Sequence, residues 1–173
     1  MVNQKTAVAL TGRSGEELEE YKKLLLKLNN EVVAAALEDL LINTHVCRGN
    51  YHSTFFSSGA YDSVAELLFG EENVNAYYLE YDDERSGGFA PLAKVTGDKK
   101  VVLGLVTTKT PELEDREKVI NRIHQAAKYI PLDRLYLSPQ CGFASCEIGN
   151  KLTEEEQWEK LRLVKEIAEE VWG

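Results

Sequence analysis

Hydrophobic positions along this chain switch repeatedly between two spacings. After Ser14, the apolar residues Leu18, Tyr21, Leu25, Leu28, Val32 and Ala35 recur at helical intervals. Ser14 and Glu17 stand ahead of them at capping-box spacing. The apolar run at residues 40–46 follows and predicts a strand. Ser63 and Glu66 open a shorter helix that closes near Gly70, and residues 74–79 predict a second strand. KVVLGLV, residues 100–106, predicts a third. Thr110 and Pro111 suit the N-cap and first turn of a helix with Val119, Ile120, Ile123 and Ala127 on one face. Residues 135–137 centre a fourth strand. Thr153 and Glu156 form a second capping box, opening a terminal helix with Trp158, Leu161, Val164, Ile167 and Val171 turned inward.

Helix and strand in strict alternation imply βαβ units and a parallel sheet, an α/β fold with helices outside it. The reading is a single domain over residues 1–173, with no linker and no low-complexity segment. Residues 81–98 are the longest loop. Their acids, glycines and proline suit an active-site loop.

Composition narrows the partners. A net charge of −9 argues against binding nucleic acid or anionic membranes, which needs clustered Lys and Arg. No apolar stretch approaches the roughly 18 residues of a membrane span. The N-terminal segment lacks the apolar region of a signal peptide, so the chain is expected in the cytoplasm. Three widely spaced cysteines in such a compartment read as ligands or free thiols rather than a disulfide frame.

Four residues carry the candidate chemistry. His45 and Cys47 lie in LINTHVCRGN, Glu80 ends AYYLE, and Cys141 lies in LYLSPQCGF, each at or past the end of a predicted strand. One imidazole, two thiols and a carboxylate are donors that Zn²⁺ accepts. In an extended strand, residues i and i+2 project to one side, so His45 and Cys47 can reach one ion. A second reading stays open at each position: a hydrogen-bonded histidine beside a buried cysteine, a buried small Cys141, and a Glu80 paired with Arg85 or another base. Cys146 reads as a free thiol, His52 as a loop histidine near the same mouth, and His124 as a surface residue. The DDER run at residues 82–85 reads as solvated loop charge. TGRSG, residues 11–15, lacks the ending of a phosphate loop.

HVCRGNYH, YYLEYDDERSG and RLYLSPQCGF together resemble the catalytic, C-terminal barrel of the cobalamin-independent methionine synthase family, and its short bacterial single-barrel relatives. The resemblance runs from about Glu16 to the C-terminus. It implies that His45, Cys47, Glu80 and Cys141 are the zinc ligands, and that the chemistry is methyl transfer from 5-methyltetrahydrofolate to the thiol of homocysteine, or to another thiol. The family places a histidine followed by Ser-Pro after the third of these strands, as proton donor. Here Lys109 in TTKTPELED stands at that position. The family barrel has eight strands, and four βα units amount to half of such a TIM-type (β/α)₈ barrel. The expectation is therefore a zinc-dependent methyltransferase segment that is inactive as an isolated half. The alternative is a non-catalytic zinc-binding fragment or partner subunit. In either case two open sheet edges predict closure by a homodimer or by a partner half-barrel.

Overall fold

The computed structural model describes residues 3–173. Eight residues, Gln4–Thr11, form helix α1; Asn3 caps it by accepting the Thr6 N–H at 3.0 Å. Gly12 ends it in the left-handed conformation that glycine adopts without strain. Helix α2 spans Gly15–Ala34. Strand β1 (Asn43–Val46), helix α3 (Ala65–Glu71), strand β2 (Ala76–Glu80), strand β3 (Lys100–Val106), helix α4 (Arg116–Ala126), strand β4 (Leu135–Pro139) and helix α5 (Glu154–Trp172) complete the alternation. The four strands pair in sequence order, β1-β2-β3-β4, all parallel. This is a four-unit half of a (β/α)₈ barrel.

Period-two alternation divides the sheet into two unlike faces. Thr44, Tyr77, Val101 and Leu135 stand in one register row, and Val46, Leu79, Leu103 and Leu137 in the next. These rows meet the helices. Tyr77, Leu79, Val101, Leu103, Leu105 and Leu135 are buried there with Val119, Ile120 and Ile123 of α4 and Ile167 of α5. Each large aliphatic side chain so buried contributes roughly 1.5–3 kcal/mol. An aromatic chain extends this core under the loops: Tyr61 lies 5.2 Å from Tyr81 and 5.8 Å from Phe69, and Phe89 lies 4.7 Å from Tyr81.

The other face carries His45, Tyr78, Val102 and Tyr136 in one row and Glu80, Gly104 and Ser138 in the next. No helix covers it. Tyr78 is 40% exposed and Tyr136 is 46% exposed.

Several boundaries differ from the sequence reading. β1 begins at Asn43 rather than at residue 40. Asn75 takes over the preceding segment: its side chain accepts the Ile42 N–H and its own N–H donates to the Ile42 carbonyl, both at 2.7 Å. Ser14 occupies the N-cap of α2 but makes no side-chain cap bond. Of the apolar stripe on α2, Leu18 is buried, while Leu25, Leu28 and Val32 are exposed. α4 begins at Arg116, capped by Asp115, not at Thr110. Backbone groups ahead of it are already engaged: Glu114 accepts the Thr107 N–H at 2.7 Å, and Gln140 accepts the Thr108 N–H at 2.9 Å. The Thr153 capping box forms as expected, but Trp158 on α5 is exposed.

Candidate metal centre

β1 and β4 are the outermost strands of the sheet, yet their C-terminal ends bring side chains into contact. His45 stands on the open face of β1, and Cys47 follows just past its end. Cys141 lies two residues beyond β4. A register irregularity between Gly104 and Val106 re-aims the chain leaving β4, and the Gln140 N–H donates to the Val106 carbonyl at 2.8 Å. Cys47 Sγ lies 3.2 Å from Cys141 Sγ, and Cys141 Sγ lies 3.4 Å from His45 Nε2. The three donor atoms all lie within 4.8 Å of one another. Donors about 2.0–2.3 Å from a tetrahedral Zn²⁺ stand roughly 3.5–3.8 Å apart. The 3.2 and 3.4 Å contacts are slightly shorter than that, and the donor chemistry suits the ion.

Gly49 supports Cys47. Its N–H donates to Cys47 Sγ at 3.2 Å, and its backbone has φ +99°. A Cβ there would also lie 2.7 Å from the Phe56 backbone nitrogen and Cβ, so only glycine fits this turn.

The electrostatics suit a cation. The Cys141 thiol, donating to the Cys47 sulfur, is the largest influence pulling the Cys47 thiol down to about 4, with His45 and the Gly49 N–H adding to it. The same contact, with burial, pushes Cys141 up. One sulfur thus ionises at the expense of the other. The Cys47 sulfur raises His45, and the Glu80 charge adds to that.

Glu80 is fully buried, but it stands outside the cluster of three. Its Oε2 accepts the Arg48 N–H at 2.7 Å, and its Oε1 accepts from Lys109 Nζ at 3.2 Å. Arg85 Nη1 approaches Oε1 to 3.6 Å. The ion-pair reading of Glu80 describes these contacts. Burial raises its carboxyl, and Lys109 opposes that rise. Lys109 is itself buried, with its ammonium held between Glu80 and Asp82 Oδ2, the latter at 2.9 Å.

The remaining candidates stand apart from the centre. His52 Nδ1 meets the Gly149 carbonyl at 2.9 Å and joins two loops. Cys146 is a free thiol, and His124 is exposed on α4. The acidic run is not simply solvated charge, because the Asp82 side chain is 1% exposed and pairs with Lys109.

A polar frame with no strong signature in the sequence surrounds the centre. Arg48 is fully buried: Nη1 donates to the Tyr61 hydroxyl and the Glu80 carbonyl, both at 2.9 Å, and Nε donates to the Gly59 carbonyl. Thr108 is the second hub. Its hydroxyl donates to Gln140 Oε1 at 2.7 Å and accepts from Asn50 Nδ2 at 2.9 Å, while Asn150 Nδ2 donates to its carbonyl at 2.7 Å. The signal that could have flagged Arg48 and Asn50 is their place directly after His45 and Cys47 in HVCRGN. An open cavity of about 700 Å³ lies over the centre, lined by His45, Cys47, Asn50, Tyr78, Gln140 and Cys141 among others. No described helix is long and apolar enough to cross a membrane.

Residues 19–170 match the family described as cobalamin-independent synthase, catalytic domain. YxjG, an uncharacterised protein of Bacillus subtilis strain 168, is 52% identical over 159 residues, covering 91% of this chain and 42% of YxjG. Among solved structures, a putative vitamin-B12 independent methionine synthase from Listeria monocytogenes superposes with a TM-score of 0.70 at 37% identity, over 94% of this chain and 43% of that one. A B12-independent methionine synthase from Shewanella sp. W3-18-1, in complex with selenomethionine, shares the fold with a TM-score of 0.69 at 21% identity, over 88% of this chain and 44% of that one. The chain thus spans well under half the length of these relatives.

Proposed function

The chain belongs to the cobalamin-independent synthase catalytic-domain family, and on that premise we propose that it carries the zinc centre of a methyl transfer to a thiol, with 5-methyltetrahydrofolate as donor and homocysteine as acceptor. The observation that carries this reading is the convergence of His45, Cys47 and Cys141 from the two outermost strands, with contacts of 3.2 and 3.4 Å.

Bound zinc would lower the pKa of a substrate thiol and supply a thiolate at neutral pH. His45, Cys47 and Cys141 would hold the ion. Glu80 is the proposed fourth ligand. Its charge already acts on His45, Cys47 and Cys141, and joining the ion would exchange its contacts with Lys109 and the Arg48 N–H. Two thiolates and a carboxylate would leave the centre electron-rich, which favours a nucleophilic substrate sulfur. Lys109 is the proposed proton donor to the departing methyl carrier, its ammonium still oriented by Asp82 once Glu80 turns to the ion. Asn50 and Gln140 line the cavity mouth beside the centre and would orient the acceptor.

Full catalysis needs both substrates held in place, a contribution worth about 7–11 kcal/mol in favourable cases. A chain spanning 42% of YxjG supplies only part of that framework. The isolated chain is therefore expected to bind zinc but to turn over little, with the open edges closed by a second copy or a partner half. The same coverage favours the second reading, a zinc-binding subunit that becomes active only within a completed barrel.

Metal analysis of the purified chain, Cys47→Ser and Cys141→Ser tests the centre. About one zinc per parent chain and its loss in both variants is expected; full occupancy in both overturns the assignment. Methyl transfer measured with homocysteine and 5-methyltetrahydrofolate tests the chemistry. Turnover by the isolated chain at a rate usual for enzymes overturns the expectation of inactivity.

A further inference from the structure

Parallel strands are usually joined through an α-helix, but the crossover from β2 to β3 has none. It runs instead through two short 3₁₀ turns, Glu84–Ser86 and Ala90–Lys94. Between this loop and α4 lies a groove of about 660 Å³. Its size falls within the roughly 300–1,000 Å³ of small-molecule sites. One wall carries Asp82, Asp83, Glu84 and Phe89 of the loop. The other carries Arg122 of α4 and Lys128 in the turn that follows it. None of these residues is a proposed metal ligand.

The charges lining this groove do not cancel. Arg122 is half-buried, with its guanidinium 5.5 Å from the centre of the Phe89 ring. Among the described residues it makes no hydrogen bond and no ion pair. Cations withdrawn from water are normally paired. Burial draws Arg122 below its ordinary range, and the Asp82 and Asp83 charges oppose that from a distance. Both acids are engaged elsewhere. Asp82 Oδ2 accepts from Lys109 and from the Thr107 hydroxyl, each at 2.9 Å, and Asp83 Oδ2 accepts from Arg85 Nε at 2.6 Å. Lys128 and Glu84 are exposed on opposite walls, and neither side chain has a partner among the described residues. Two cations and one carboxylate are thus left over. Asp82 Oδ1, buried on the acidic wall, also lacks a hydrogen-bond donor among the described residues.

We propose that this groove binds a free acidic α-amino acid, with its two carboxylates on Arg122 and Lys128 and its ammonium against Glu84. A ligand with two negative charges and one positive charge complements the three unpaired groups. Guanidinium and carboxylate match in a two-pronged, charge-assisted geometry, which suits Arg122. An amino acid with one carboxylate leaves a cation over. A dicarboxylate without an ammonium sets its charge against Glu84 and the acids behind it. The net charge of −9 disfavours such a purely anionic ligand further. The proposal does not depend on the zinc reading, since it uses no proposed zinc ligand. Asp82 nevertheless links groove and centre, because its Oδ2 holds Lys109.

Titration of the 173-residue chain with L-glutamate, L-glutamine and glutarate, followed by ligand-observed NMR, is the test. L-glutamine keeps the ammonium and loses one carboxylate, whereas glutarate keeps both carboxylates and loses the ammonium. Saturable 1:1 binding of L-glutamate at millimolar concentration is expected, with each analogue roughly tenfold weaker. Absence of saturable L-glutamate binding overturns the proposal, as does equal affinity for either analogue. Arg122→Gln and Lys128→Gln are each expected to weaken L-glutamate binding roughly tenfold. Glu84→Gln is expected to close the gap between L-glutamate and glutarate. Lys128 and Glu84 are exposed, so their variants keep the fold and decide the matter if Arg122→Gln does not fold. Parent-like affinity in Lys128→Gln, or a parent-like preference for L-glutamate over glutarate in Glu84→Gln, overturns the proposal.

Discussion

Adding one methyl group at Gly104 is expected to damage the proposed metal centre. Gly104 lies on the open face of β3, in register with Glu80 on one side and Ser138 on the other. A Cβ built there would meet Gln140 Cα at 2.7 Å and the Leu79 carbonyl oxygen at 2.8 Å. Both are main-chain atoms, so no side-chain rotation relieves the overlap. One neighbour precedes Cys141 and the other precedes Glu80, so either displacement reaches a proposed ligand. Overpacking of this kind costs about 1–3 kcal/mol. For a chain of this size, each kcal/mol lowers Tm by roughly 2–4 °C. Zinc distances tolerate only about ±0.2 Å, and disturbing the support of a ligand typically lowers affinity about 10–100-fold. Gly104→Ala is therefore expected to melt several degrees lower and to bind zinc at least tenfold more weakly, read by thermal unfolding and by competition with a chromophoric chelator. Gly70→Ala is the control. Gly70 lies inside α3 with open space around its Cβ position, so this change is expected to stabilise by about 0.5–1 kcal/mol and leave zinc binding unchanged. Parent-like Tm and zinc affinity in Gly104→Ala would refute the reasoning.

Three further outcomes are expected. Leu103→Ala empties a fully buried position at the centre of the helix-covered face and should cost about 2–5 kcal/mol in urea unfolding, far more than a change at exposed Leu41. Burial raises the Glu72 carboxyl, so the fold holds that proton to higher pH than the unfolded chain does; this stability is present in acid and lost as pH rises through the folded value. Glu72→Gln should accordingly leave Tm unchanged near pH 4 and raise it at pH 7, and equal shifts at both would refute the burial argument. In a completed, zinc-loaded barrel, Lys109→Ala should lower kcat by roughly 10²-fold with zinc retained, as expected on losing a general acid, and undiminished turnover would remove Lys109 from the proposed role.

Strand number, parallel order and helix alternation were legible because both hydrophobic periods are strong in this chain. Boundaries were less so, because polar side chains set them from afar. Asn75 claims the backbone at Ile42, and Glu114 and Gln140 claim Thr107 and Thr108, delaying α4 to Arg116. The stripe on α2 has helical spacing yet is largely exposed, since spacing shows that a face is apolar and not what will cover it. His45, Cys47 and Cys141 were legible from donor type and strand-end position. The contacts of Glu80 with Lys109 and Arg48, and the burial of Arg48, were not, because they depend on partners 29 and 32 residues apart in sequence.

Meeting between the first and last strands gives the donor trio a thermodynamic consequence. Cys47 and Cys141 are 94 residues apart in the chain. An unfolded chain offers an ion only the local His45-x-Cys47 pair, while the folded chain offers all three donors together. An ion that prefers the folded state in this way raises stability in proportion to RT ln(1 + [metal]/Kd). It also acts as a reversible cross-link closing a long loop, which an unfolded chain resists through its entropy. Occupancy would thus report whether all four strands have docked, and metal supply would set how firmly the sheet's two margins are fastened before anything else joins them.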